Sequence, residues 1–141
     1  MSFVLDNSVA MRWLLGTTKP EESVYAGKVL EVLAAGQAMV PSLWALEVAN
    51  VIAKAESKGQ VTEARSQTFL ALLARLNIVD DKATVAHALG DTLNLARRYK
   101  LSAYDAAYLE LAMRKGLPLA TLDAELAKAA ASAGVTIFGS D

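Results

Sequence analysis

Three carboxylates in this 141-residue chain stand where carboxylates are costly. Asp6 lies within VLDNSVAMRWL, Glu47 within PSLWALEVANVI and Asp105 within SAYDAAYLELA. Most of the other acids, among them Glu21, Glu22, Glu31, Glu56, Glu63 and Glu125, fall on polar helix faces. A carboxylate held in apolar surroundings needs a partner or drifts toward its neutral form. Asp123, in LATLDAELAKAA, joins the three as a fourth candidate. Two carboxylates at ~4 Å repel by about 4 kcal/mol at an effective dielectric of 20. Several together would burden a domain whose whole stability is ~5–15 kcal/mol. A hard divalent cation that prefers oxygen, Mg2+ or Mn2+, is the economical counter-charge.

Other chemistries are poorly supplied. There is no cysteine, so disulfides and thiolate metal sites are excluded, and the single histidine, His87, rules out multi-histidine centres. The formal net charge is -1, so any nucleic-acid contact must come from local basic groups rather than from bulk charge. The first apolar run is interrupted by Asp6 and has no basic start, and no run approaches a membrane span. A cytoplasmic protein without a membrane segment is expected.

Elements that would position these acids can be read along the chain. Short apolar runs at Phe3-Val4-Leu5, Ala38-Met39-Val40, Asn77-Ile78-Val79, Leu117-Pro118-Leu119-Ala120 and Val135-Thr136-Ile137-Phe138 read as strands. Between them lie helical patterns. One opens at Pro20 and stops at Gly36; a second spans Leu43 to Ser57. Thr62 caps a third through Leu76, and Ala83 to Tyr99 forms a fourth. Ser102 and Asp123 cap two more, ending before Gly116 and Gly134. Hydrophobic content of 54% and this length suit one domain, residues 1–141. The alternation predicts an α/β fold of three α/β/α layers, with a mostly parallel sheet of about five strands. Two helices between the second and third strands make the succession imperfect.

Ligands of such sheets bind beyond the carboxyl ends of the strands. Asp6 immediately follows the first strand and Asp123 closely follows the fourth. Glu47 lies near the start of the helix after the second strand, and Asp105 in the first turn of the helix before the fourth. Singly, each acid also has an ordinary structural explanation. Asp6 and Asp123 suit helix N-caps, Ser102-Ala103-Tyr104-Asp105 approximates a capping box, and Glu47 complements a helix dipole.

Taken in order and spacing, the four stretches quoted above resemble the motifs of PIN-domain proteins, and most of all the VapC-type toxins of bacterial toxin–antitoxin pairs. The resemblance runs from Phe3 to Phe138. It implies that Asp6, Glu47, Asp105 and Asp123 together bind one or two Mg2+ or Mn2+ ions and cut single-stranded RNA. It also implies that Ser8 and Thr121 support the acids, that the protein is a homodimer, and that a cognate antitoxin inhibits it. Arg12, on the first helix, and the cluster Arg97, Arg98 and Lys100 are the candidate RNA contacts. The late cluster also suits a helix C-terminus.

Three other readings compete. A dehalogenase-like phosphoryl-transfer enzyme would carry D-x-D after the first strand, where Asp6-Asn7-Ser8 stands. A receiver domain would need paired acids near the first strand, whereas Asp80-Asp81 follow the third. A non-catalytic interaction domain would use the acids only as caps. His87 reads as structural or surface, with no catalytic partner nearby in sequence. Trp13, Trp44, Tyr104 and Tyr108 read as packing residues.

Overall fold

The computed structural model describes residues 1–139; the expected domain span of 1–141 includes two residues, 140 and 141, outside the described ones. Four parallel strands form one sheet: β1 (Ser2–Leu5), β2 (Gln37–Pro41), β3 (Ile78–Asp81) and β4 (Leu119–Ala120), in the order β3-β2-β1-β4. Helices flank it: α1 (Asn7–Leu15) and α2 (Pro20–Leu33) follow β1, then α3 (Trp44–Ser57) and α4 (Glu63–Arg75) follow β2. After β3 come α5 (Thr84–His87), a π-helical turn (Ala88–Thr92), α6 (Leu93–Tyr99) and α7 (Ala103–Lys115), and α8 (Ala124–Ser132) follows β4. No helix among the described residues is long and apolar enough to cross a membrane.

The inner strand β1 and the short β4 are runs of mostly buried apolar residues because both sheet faces are covered there, whereas β3 at the edge ends in Asp80 and Asp81. Phe3, Val4 and Leu5 are all fully buried in the central strand. Its register, Phe3 opposite Ala38 and Val4 opposite both Met39 and Leu119, places β1 between β2 and β4. Helix α7 packs on β1, β2 and β4, and every residue from Ala106 to Ala112 is buried. A side chain at Gly36 would meet the Met1 carbonyl oxygen at 2.6 Å, so only glycine lets the chain turn into β2 beside the start of β1. Arg65 of α4 donates from Nε and Nη2 to the Leu14 carbonyl at 3.2 and 3.0 Å, holding the end of α1.

Two expectations need correction. Residues 135–138 are not a full fifth strand. They meet β4 through one parallel bridge, Leu119 with Ile137, flanked by bonds from Leu119 N–H to Thr136 O and from Phe138 N–H to Leu119 O, both 2.9 Å. The segment is held instead by side chains. Phe138 stacks on Phe3 with centroids 4.5 Å apart, and the Tyr25 hydroxyl donates to the Phe138 carbonyl at 2.8 Å. The expected helix from Ala83 to Tyr99 is broken by the π-helical turn containing Gly90, a residue that holds the α conformation weakly.

The topology already singles out one place. The chain moves from β1 to β2 to β3 in one direction, then crosses back to lay β4 on the other side of β1. The strand order therefore switches between β1 and β4, where open α/β sheets leave a crevice at the strands' carboxyl ends.

Candidate metal-binding active site

Asp6 leaves β1 at that switch point. Its N–H continues the ladder to the Ala120 carbonyl at 2.9 Å, and its side chain is buried, 4% exposed. Asp6 occupies the N-cap position of α1, yet its carboxylate makes no capping hydrogen bond. Instead the Ser8 and Thr121 hydroxyls both donate to Oδ2, at 2.6 and 2.8 Å, and Oδ1 has no hydrogen bond among the described residues. The same hydroxyls organise the segment after β4 that brings Asp123. Leu122 N–H donates to Ser8 Oγ at 2.9 Å and Asp123 N–H to Thr121 Oγ1 at 3.0 Å. Asp123 then caps α8, accepting from Leu126 N–H through Oδ1 at 3.0 Å.

Glu47 and Asp105 arrive on helices. Glu47 sits in the first turn of α3, half-buried, and Asp105 in the first turn of α7, whose N-cap Ser102 accepts from the Asp105 N–H at 3.1 Å. Burial raises the Asp6 carboxyl from 3.8 to about 6; the Ser8 and Thr121 bonds oppose this, and the charges of Asp105 and Asp123 add to it. Burial also raises Glu47, against the Tyr108 hydrogen bond and with the charges of Asp6 and Asp105. Asp105 is raised by burial and by Asp123, with Ser102 opposing. The four acids predicted from sequence are thus linked electrostatically through Asp6 and Asp105, each of which interacts with both Glu47 and Asp123. No lysine, arginine or histidine among the described residues forms an ion pair with any of them.

That donor set fits a hard divalent cation: carboxylate oxygens only, mutual repulsion, no protein counter-charge, and an Asp6 oxygen left without a hydrogen bond. A tighter convergence lies elsewhere. One oxygen or nitrogen each from His87, Asp91 and Glu110 fall within 4.8 Å of one another. His87 therefore has carboxylate partners, Asp91 at 3.7 Å, which its i,i+4 spacing could have shown, and Glu110 at 3.8 Å, which its local sequence did not reveal. In that group Arg114 already supplies positive charge, bonding Glu110 at 2.8 and 3.0 Å and Asp81 at 2.6 and 3.2 Å.

The model of the PIN domain family matches residues 3–132. The chain belongs to the PIN domain family. PIN domains are usually metal-dependent nucleases. The crystal structure of PAE2754 from Pyrobaculum aerophilum has the same fold as this PIN domain, with a TM-score of 0.67 at 22% identity over 92% of this chain and 79% of that one. No curated protein matches the sequence significantly.

Sequence reasoning treated Tyr108 as packing and missed its polar end. The ring is fully buried, and its hydroxyl donates to Glu47 Oε1. The available signal was its spacing: Tyr108 is three residues from Asp105 and so shares its helix face. The basic candidates differ in their circumstances. Arg12 is turned to Glu22, Nε to Oε1 at 3.2 Å, and Arg97 donates to Asn94 Oδ1 at 3.3 Å. Arg98 lies 5.6 Å over the Tyr99 ring, and Lys100 forms no ion pair among the described residues.

Proposed function

We propose that this PIN domain is a Mg2+- or Mn2+-dependent endoribonuclease that cuts single-stranded RNA, acting in the cytoplasm as the toxin of a toxin–antitoxin pair. The observation that carries the nuclease reading is the set Asp6, Glu47, Asp105 and Asp123 about the sheet's switch point, buried or half-buried and forming no ion pair with a cationic side chain among the described residues. Asp6 and Asp105 would be the principal metal ligands, with Glu47 and Asp123 completing the set. When bound, the metal would supply Lewis-acid charge for the scissile phosphate and lower the pKa of an attacking water. The residues of the chain do the positioning. Ser8 and Thr121 fix one Asp6 oxygen, which turns the other toward a ligand. Thr121 also orients the backbone that delivers Asp123, and Tyr108 holds Glu47 by one oxygen, leaving the other to act on the substrate side.

A protein partner, whether a second copy or an antitoxin, is supported by large apolar side chains left in water. Leu46, Val85 and Leu89 are 76%, 77% and 88% exposed, and Val85 and Leu89 are spaced by one helical turn. The nuclease reading is tested by incubating single-stranded RNA with Mn2+ and either wild type or Asp105→Asn. Cleavage by wild type, with a loss of at least about 100-fold in the variant, is expected. Equal cleavage by both would sink it. Toxicity on expression, relieved by a neighbouring gene product, tests the toxin role separately.

A further inference from the structure

A groove of about 320 Å3 runs between the end of α6 and the outer face of α8, lined among others by Arg98, Lys100, Glu125, Lys128 and Ser132. Its position follows from the two helices beside it. Lys100 lies two residues before Ser102, the cap that presents Asp105, and Lys128 lies five residues after Asp123 on α8. The lining carries three cations against one carboxylate, in a chain whose net charge is -1. None of Arg98, Lys100 or Lys128 forms an ion pair among the described residues, whereas Arg12 is committed to Glu22.

Lys100 adds an independent observation. It ends α6 in the left-handed conformation, φ 55°, ψ 45°. It is the one non-glycine among the described residues with positive φ; the other such positions, including the equivalent end of α7 at Gly116, are glycine. A Cβ in this region is strained, and glycine is the residue a helix end of this shape ordinarily takes. Backbone conformation therefore favours glycine over lysine here, and what retains lysine is its charge, which complements the end of α6 and faces the groove. That side chain lines a groove whose cations form no ion pair among the described residues, between the segment that runs into the Asp105 helix and the helix that Asp123 caps.

We propose that this groove binds the sugar–phosphate backbone of the RNA strand on one side of the scissile bond, with Arg98, Lys100 and Lys128 facing successive phosphates. The proposal rests on the nuclease reading of the four acids. It excludes Arg12 from the track and adds Lys128 to it. Contacts of this kind carry affinity and register without base specificity, and they release counterions on binding.

The test uses full-length protein and a fluorescent 12-nucleotide single-stranded RNA, with binding measured in EDTA across a salt series and melting temperatures recorded for each variant. Lys100→Gly should melt at or slightly above wild type while binding RNA 3- to 10-fold more weakly at low salt. Lys128→Gln should bind as weakly. Each should flatten the plot of log affinity against log salt by about 0.7, the increment for one phosphate on a single strand. Lys28→Gln, on α2 away from the groove, should leave affinity and slope unchanged. Unchanged binding in both groove variants, alongside normal Mn2+-dependent cleavage by wild type, overturns the groove and leaves the nuclease reading intact. A clear fall in the melting temperature of Lys100→Gly overturns the strain argument. Groove-dependent binding with no cleavage by wild type supports the groove and retires the nuclease reading instead.

Discussion

Replacing Asp6 by asparagine should destroy activity and at the same time make the metal-free protein more stable. The carboxyl is raised from 3.8 to about 6, chiefly by burial. An acid raised on folding binds its proton more tightly in the folded state, so its ionised form works against the fold. That cost is absent below about pH 4, grows as pH rises to about 6, and is full above it. A shift of this size corresponds to about 3 kcal/mol. Asparagine keeps an oxygen for the Ser8 and Thr121 hydroxyls and removes the charge. Its amide brings N–H groups that cost about 1 kcal/mol if one stays unpaired. A net gain of about 2 kcal/mol, and a Tm rise of roughly 5–10 °C at pH 7.5, is expected for a domain of this size. Differential scanning calorimetry in EDTA reads it directly. Wild type should also gain stability as pH falls from 7.5 to 5, and Asp6→Asn should gain less, retaining only what Glu47 and Asp105 contribute. Mn2+ should raise the wild-type Tm and leave the variant's nearly unmoved. If the metal-free variant melts below wild type at pH 7.5, Asp6 stabilises the fold and the picture of clustered, uncompensated carboxylates is refuted.

Two further outcomes follow from contacts described above. Arg114→Met leaves buried Glu110 and Asp81 without their shared cation. It should cost about 3–5 kcal/mol, seen as a lower urea midpoint. Asp81 is held below its usual range by its hydrogen bonds to Arg114, Thr84 and Ala83, which outweigh its burial. This stabilisation is present above the unfolded pKa and lost as pH falls through the folded one, so the penalty of Arg114→Met should shrink in acid. Tyr108→Phe removes one hydroxyl and frees Glu47. It should reduce stability by only about 1 kcal/mol while slowing Mn2+-dependent RNA cleavage at saturating substrate.

What was legible in the sequence was what neighbouring residues decide. Thr62, Ser102 and Asp123 announce helix starts because a short polar side chain ahead of an apolar repeat satisfies free N–H groups two or three residues on, and all three cap as expected. Phe3-Val4-Leu5 announces a central strand because continuous burial requires continuous apolarity. Val135 to Phe138 carries the same signature and forms only a bridge, since its burial is supplied by Phe3 and Tyr25, far away in the chain. At Asp6 and Asp123, local grammar offered the same capping role to both. In the fold they part: Asp123 caps, and Asp6 is diverted by the hydroxyls of Ser8, two residues on, and of distant Thr121. His87 with Asp91 and Glu110 with Arg114 are i,i+4 pairs that helical spacing could have found, whereas His87 with Glu110, Tyr108 with Glu47 and Arg114 with Asp81 join segments distant in sequence, where no spacing rule applies.

The hydrogen bond from Thr121 to Asp6 spans 115 positions of the chain. Folding accordingly cannot complete the acidic site by local steps. On one side β1 has β2, which ends at Pro41, but its other neighbour, β4, follows α7 in the chain. A nascent chain that stops before Leu119 carries Asp6, Glu47 and Asp105, yet lacks the hydroxyl that orients the first and the segment that brings the fourth. The acidic site is thus closed by β4 and the segment that follows it, a part of the fold far along the chain from Asp6.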